Sequence, residues 1–148
     1  MESSNPARIL VVAHRTAATA GLGDAVRRRA SEGPARFTLL VPRTAHGLHR
    51  LMDPEDTDEA EARMILDRAL PLLSDAAGST VDGMIGDPTP LTAIEDALNR
   101  EPFDEIILST LPATISRWLR LDLPSKVSGL GVPVTLVTAA EEPAAVAG

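Results

Sequence analysis

The chain of 148 residues contains no cysteine. This excludes disulfides, thiolate catalysis and cysteine-ligated zinc or iron–sulfur centres. Aromatic residues are scarce, with two Phe, one Trp and no Tyr, so few side chains could stack on nucleic-acid bases. The formal net charge of −7 also opposes binding along a phosphate backbone, which needs a basic surface. Nucleic acid is therefore not an expected partner.

Long hydrophobic runs are also missing from the sequence. No apolar segment approaches the ~20 residues that a membrane-spanning helix needs, and the first residues lack the pattern of a signal peptide. We therefore expect no membrane partner and a cytoplasmic location. The length suits one domain with a substantial core. We predict a flexible N-terminal tail at residues 1–7, a single domain at residues 8–138, and a disordered tail rich in Ala and Glu at residues 139–148.

Five short apolar segments alternate with segments of helical periodicity. The strand-like segments lie at 8–13, 36–41, 79–85, 103–108 and 132–137, and the helix-like segments at 16–30, 56–77 and 89–99, with a short helix near Pro124. This alternation predicts an α/β fold, a three-layer α/β/α sandwich with a five-stranded parallel sheet. Pro71 lies inside the second helical segment, where it is expected to cause a kink.

Polar residues directly follow the first and fourth predicted strands. His14, Arg15 and Thr16 come after the first strand, and Ser109 and Thr110 after the fourth. Because parallel strands end at a common edge where ligands bind, these residues predict a site for a small polar ligand, with His14 as hydrogen-bond donor or base. The alternative is that His14 is a loop residue without a functional role.

A second polar group lies further along the chain. Arg117, Arg120 and Lys126 could clamp an anion, helped by N–H groups of the short helix near Ser125. Asp122 argues against this arrangement, because its carboxylate would repel a phosphate at the same helix end. An N-cap role for Asp122 is the favoured interpretation.

The histidines of the second connection suggest a metal site at first sight. His46 and His49 lie near Asp53 and Glu55. They lack the i, i+4 spacing with which two histidines on a helix bind zinc, so an ordinary surface loop is the favoured interpretation. No metal site is predicted, and no paired catalytic residues are visible.

The order of these segments resembles the universal stress protein family. The matching features are the opening strand at 9–13, the Gly-Asp-Pro turn at 86–88, the strand at 104–108, the Ser-Arg-Trp-Leu run at 116–119 and the Val-Pro-Val strand at 132–134. The resemblance covers roughly residues 8–138. It implies an adenine nucleotide alpha hydrolase-like fold and a homodimer paired through the last strand. The residues expected at that interface are Trp118, Val132, Val134 and Leu136, although Trp118 could instead cover the sheet edge.

One branch of that family binds ATP through Gly-x2-Gly-x9-Gly-(Ser/Thr) after the fourth strand, with an Asp after the first. Here Ser109 and Pro112 stand at the first two glycine positions, Asp122 falls near the third, and His14 stands where the Asp is expected. Phosphate-cradling loops use glycines so that backbone N–H groups approach the anion. The resemblance therefore implies the fold and the dimer without the standard ATP site, and no cofactor is expected.

Three functions are compatible with the sequence. The first is a non-enzymatic, dimeric domain that binds a protein partner or a small ligand other than ATP. The second is binding of a nucleotide, ATP or AMP, at a divergent site formed by His14, Thr16, Ser109, Thr110, Arg117 and Ser125. The third is a small-molecule enzyme with His14 as base, for which no paired nucleophile is visible.

Overall fold

The computed structural model describes residues 6–14, 16–43, 54–110 and 123–138. In chain order the elements are β1 (Ala7–Val12), α1 (Ala20–Ser31), β2 (Ala35–Pro42), α2 (Pro54–Ala77), β3 (Asp82–Gly86), α3 (Pro90–Arg100), β4 (Glu105–Thr110), α4 (Leu123–Ser128) and β5 (Val134–Thr138). Most of the predicted N-terminal tail and all of the predicted C-terminal tail lie outside the described residues, so their disorder stays a prediction.

The five strands form one parallel sheet in the order β3-β2-β1-β4-β5. This confirms the predicted α/β fold with a five-stranded parallel sheet. β1 lies at the centre, with β2 on one side and β4 on the other. The winding of the chain therefore reverses between β1 and β4. In open parallel sheets, ligands bind outside the carboxyl ends of the strands at such a reversal.

Alternate residues of β1 supply the two faces of the core. Ile9 and Val11 pack with residues of α1 and α2, whereas Leu10 and Val12 pack with residues of α3 and α4. All four are at most 1% exposed. Successive side chains of a strand point to opposite faces, so a strand covered on both faces needs a continuous apolar run. The segment after Arg8 meets that requirement, and the three-layer sandwich is confirmed.

α1 begins later than predicted, and this creates the loop at the carboxyl end of β1. The backbone N–H of Ala17 donates to the His14 carbonyl at 3.2 Å, and that of Thr19 to the Thr16 carbonyl at 3.1 Å. The Thr19 hydroxyl then accepts from the Leu22 N–H at 3.3 Å as the N-cap of α1. A capping threonine satisfies an N–H that the helix itself cannot, so residues 16–19 form a turn and the helix starts at Ala20.

α2 is a single helix of 24 residues that continues past Pro71. Proline removes one backbone hydrogen bond from a helix. Ala62, Leu66, Ala69 and Leu73 form a buried stripe along α2 on the sheet, and this tertiary packing holds the helix together across the proline. In the ranges that the structure describes, no helix has the length and apolar character to cross a bilayer.

β4 extends two residues further than predicted and ends at Thr110. Its ladder with β5 pairs Ser109 with Val137 and Thr110 with Thr138. β4 begins at Glu105, two residues later than predicted. The residue before it, Asp104, lies at the amino edge of the sheet, where its carboxylate accepts a hydrogen bond from the Arg8 N–H at 2.8 Å. The polar residues predicted to follow β4 are thus its last two strand residues.

Candidate functional site

The β1–α1 loop and the end of β4 are joined by a hydrogen bond between two buried hydroxyls. Thr16 Oγ1 and Ser109 Oγ lie 2.6 Å apart, and either could be the donor. The two residues are 1% and 2% exposed. Ser109 lies on the same face of β4 as Ile107, which belongs to the core on the α1 side, so its side chain meets the loop that precedes α1. This contact lies at the reversal between β1 and β4.

His14 and Thr110 lie at the same edge of the sheet. His14 follows the buried Ala13, and its side chain is half-buried. Thr110 is 5% exposed and lies on the opposite face of β4 from Ser109. Four of the predicted ligand-binding residues, His14, Thr16, Ser109 and Thr110, therefore end at the carboxyl edge of two adjacent strands. The three hydroxyl residues are buried, and His14 is the most exposed of the four.

Of the other predicted ligand-binding residues, the structure describes two. Ser125 and Lys126 lie on α4 with exposed side chains. The next residue, Val127, is the one that packs into the core. Arg15, Arg117 and Trp118 lie outside the described residues, as do the loop histidines 46 and 49. The anion clamp therefore stays a prediction. Among the described residues, no group of three or more His, Asp and Glu side chains is arranged to hold a metal ion.

The predicted dimer residues on β5 and before it differ in exposure. Val132 and Val134 are half-buried and pack against the core on the α3 side. Leu136 is 37% exposed. Of these three, Leu136 therefore offers the most apolar surface to another molecule.

Arg43 is a charged residue of the carboxyl edge that the sequence analysis did not identify. It follows β2, and both its backbone N–H, at 2.9 Å, and its Nε, at 3.3 Å, donate to the Gly86 carbonyl at the end of β3. Its side chain therefore lies at the carboxyl ends of β2 and of the edge strand β3. An arginine directly after a strand was the available signal, but only the pairing of β2 with β3 shows which carbonyl it reaches.

A second interaction that the sequence did not predict lies at the amino edge. Arg29 of α1 holds Glu105 of β4 through Nε–Oε1 at 2.9 Å, Nε–Oε2 at 3.2 Å and Nη2–Oε2 at 2.6 Å. The hydrogen bonds from Arg29 lower the pKa of Glu105, although partial burial opposes the shift. Those same bonds raise the pKa of Arg29. This fork is far from the carboxyl edge and is a structural link between α1 and the sheet.

Two clefts flank the sheet at its outer strands. One of about 490 Å³ lies beside β3 and α3, and Leu40, Met84, Ala93 and Ala97 are among its lining residues. The other, of about 380 Å³, lies between α1 and β5. Neither is lined by the hydroxyl pair, so each offers a surface separate from the edge of β1 and β4.

A parallel sheet whose strand order reverses next to its first strand defines the class of doubly wound α/β domains. No family model matches the sequence, and no curated protein is significantly similar to it. A universal stress protein solved in complex with cAMP aligns with 93% of this chain and 100% of its own, at 16% identity and a TM-score of 0.60.

Two further solved structures have the same architecture. A member of the universal stress protein family from Burkholderia pseudomallei aligns over 90% of this chain and 96% of its own, at 18% identity and a TM-score of 0.62. The universal stress protein from Archaeoglobus fulgidus, in complex with dAMP, aligns over 90% and 98%, at 14% identity and a TM-score of 0.57. The chain therefore has the universal stress protein fold, and the resemblance predicted from the sequence is confirmed at the level of the fold.

Proposed function

We propose that this chain is a non-enzymatic binding domain that takes a small polar ligand at the carboxyl edge of β1 and β4. The observation that carries the proposal is the convergence of His14, Thr16, Ser109 and Thr110 at the reversal of the sheet. The 2.6 Å bond between the Thr16 and Ser109 hydroxyls ties the loop to the strand. His14, which is half-buried, is the side chain of this group that offers a ligand the most surface.

An adenine nucleotide with a single phosphate is the first ligand to test. Two proteins of the same fold were solved with cAMP and with dAMP. A triphosphate is disfavoured, because Ser109 carries a side chain at a position where backbone N–H groups would otherwise approach phosphate. Its hydroxyl is engaged with Thr16. Fold alone does not decide the ligand, so the test includes ATP with magnesium.

Isothermal titration of the purified chain with AMP, cAMP, dAMP and ATP–Mg²⁺ tests the proposal. We expect a monophosphate to bind and His14→Ala to weaken it about tenfold, the equivalent of one hydrogen bond. Thr38→Val is the matched control, because Thr38 is a buried strand threonine whose ladder partners are Leu10 and Asp82, away from the carboxyl edge. Binding of none of the four nucleotides, or equal binding by the His14→Ala variant, would contradict the proposal.

A homodimer through β5 is the second part of the proposed function. β5 is the last strand of the sheet, with β4 as its one neighbour in the described chain. Thr135, Leu136 and Thr138 are exposed. An open strand edge with an exposed leucine is a surface on which a second strand can pair.

Sedimentation equilibrium tests the dimer with a matched pair of variants. Leu136→Lys places a charge on the exposed leucine of β5, and we expect it to abolish association through β5. Leu72→Lys makes the same change on α2 at a leucine that is 53% exposed, and we expect no effect. A wild-type monomer at high micromolar concentration would refute the dimer, and so would equal behaviour of the two variants.

A further inference from the structure

The edge of the sheet opposite β5 is formed by β3, which has one strand neighbour among the described residues. β3 is the outermost strand and pairs with β2 alone in the described chain. Its five residues are exposed or half-buried, whereas six of the eight residues of β2 are buried. Its outer row of backbone N–H and C=O groups has no strand partner among the described residues, and such a row is a template for pairing. We propose that β3 pairs antiparallel with β3 of a second copy of this chain, across a two-fold axis at Met84.

The sequence of β3 is complementary to itself in this register. With Met84 opposite Met84 of the partner subunit, Asp82 lies opposite the partner's Gly86, and Gly83 lies opposite the partner's Ile85. Each larger side chain therefore meets a glycine, and side chains of directly opposed residues share one face of a sheet. A Cβ at Gly83 would lie 2.9 Å from Leu66 Cδ2, so a larger residue there would require the leucine side chains of α2 to shift.

Charges at the two ends of β3 select the antiparallel arrangement. Asp82 is exposed at the amino end. Arg43 lies at the carboxyl end with its Nε 3.3 Å from the Gly86 carbonyl. Antiparallel pairing brings Asp82 beside the partner's Arg43, and the two-fold axis repeats this pair. Parallel pairing in register would oppose like charges, which is destabilising.

The cleft beside β3 gives the central methionines a place to pack. It measures about 490 Å³, and its lining combines Met84, Leu40 and Ala93 with charged side chains, among them Asp96 and Arg100. Met84 faces α3 and packs against the core on that side. A two-fold axis perpendicular to the sheet keeps α3 of both copies on one side, so the two clefts join and both Met84 side chains enter the joined space. A five-residue pairing buries little surface, and the association is weak and depends on concentration.

A single introduced cysteine tests this contact directly, because the chain has none of its own. Directly opposed residues of antiparallel strands have Cα atoms about 4.5–5.5 Å apart, within the range of about 4.4–6.8 Å that a disulfide spans. Met84→Cys is therefore expected to form a disulfide-linked dimer under mild oxidation at high micromolar concentration. The matched control is Met64→Cys, on α2, where Met64 is 62% exposed.

We expect the initial rate of cross-linking to be at least about tenfold higher for Met84→Cys than for Met64→Cys, because pairing raises the effective thiol concentration. Equal rates would overturn the proposal. Met84→Cys combined with Leu136→Lys must cross-link as fast as Met84→Cys alone, since the β3 edge lies at the opposite end of the sheet from β5. Loss of cross-linking in that combination would equally overturn it.

Charge reversal supplies a readout that does not depend on the cysteine at the axis. Asp82 is exposed, and Asp82→Arg would place a positive charge beside the partner's Arg43. In a chain that also carries Leu136→Lys, we expect this change to abolish the β3 association measured by sedimentation. The double variant Asp82→Arg with Arg43→Glu restores the opposite charges and is expected to recover the association. Unchanged sedimentation on charge reversal would refute the antiparallel arrangement, as would a double variant that stays dissociated.

Discussion

The Arg29–Glu105 ion pair predicts a measurable coupling between α1 and β4. The two side chains meet through two Nε contacts and one Nη2 contact, the shortest of 2.6 Å. Their exposed fractions are 19% and 31%, so water competes for them only in part. A forked arginine–carboxylate pair is about twice as strong as a neutral hydrogen bond. The perturbations are Glu105→Gln, Arg29→Met and the two together.

The expected coupling energy in this double-mutant cycle is about 1–2 kcal/mol. An exposed pair contributes about 0–1 kcal/mol, and the partial burial and forked geometry of this pair raise the value above that range. For a chain of this length, each 1 kcal/mol shifts the melting temperature by about 2–4 °C. Urea unfolding at neutral pH measures the free energy of unfolding of the wild type, the two single variants and the double variant. The coupling energy is the difference between the loss in the double variant and the sum of the two single losses.

The same pair predicts a pH dependence of stability. Its hydrogen bonds with Arg29 lower the pKa of Glu105 in the folded state. A carboxyl group whose pKa is lowered by folding stabilises the folded state, and this contribution is fully present at pH values above the ordinary pKa of 4.5. That stability is lost as the pH falls through the lowered value. The difference between wild type and Glu105→Gln should thus be constant between about pH 5 and 7 and shrink in stronger acid.

The matched control is the exposed pair of Arg27 and Asp24, whose Nη1 and Oδ1 atoms lie 3.1 Å apart. Its side chains are 61% and 64% exposed, so Asp24→Asn should change the free energy of unfolding little. Coupling of Arg29 and Glu105 no larger than that of the control pair would refute the reasoning. A Glu105→Gln difference that persists unchanged at low pH would do so too.

Two further predictions concern packing and the hydroxyl pair. Gly86→Ala should destabilise the fold by about 1–3 kcal/mol in thermal and urea unfolding, because its Cβ would lie 2.8 Å from the Ala93 Cβ. Gly23→Ala, in a helix with no atom within 4 Å of the new Cβ, should stabilise it by about 0.5–1 kcal/mol. Thr16→Val and Ser109→Ala should each cost about 1–2 kcal/mol, and the double variant less than their sum. Additive losses at that pair, or a neutral Gly86→Ala, would contradict the 2.6 Å and 2.8 Å contacts.

Much of the architecture followed from local patterns in the sequence. The apolar run after Arg8 predicted a strand buried on both faces, and β1 has that role. Helical periodicity predicted α2, and the first helical segment was predicted to end at residue 30, one residue before the end of α1. The boundaries were less accurate. Thr19 delays α1 through its N-cap bond, and the ladder with β5 carries β4 to Thr110.

The sequence predicted which residues belong to the candidate site, but it did not predict the contacts between them. His14, Thr16, Ser109 and Thr110 were chosen because each stands where a predicted strand ends. Their arrival at one edge followed from parallel strands, but the bond between Thr16 and Ser109 joins residues 93 positions apart. No local pattern indicates that two such hydroxyls are 2.6 Å apart and nearly fully buried.

The amino-acid sequence by itself determined the kind and order of the secondary-structure elements that the structure describes, because alternation and helical spacing are local properties of the chain. It also determined the chemistry that is excluded, since a chain without cysteine has no thiolate. Only the tertiary structure decided the strand order, with β3 and β5 outermost in the described sheet, and the choice of Arg29 from three neighbouring arginines to hold Glu105. These depend on which distant segments are brought together, and the free energy that selects them comes from burial and geometry in three dimensions.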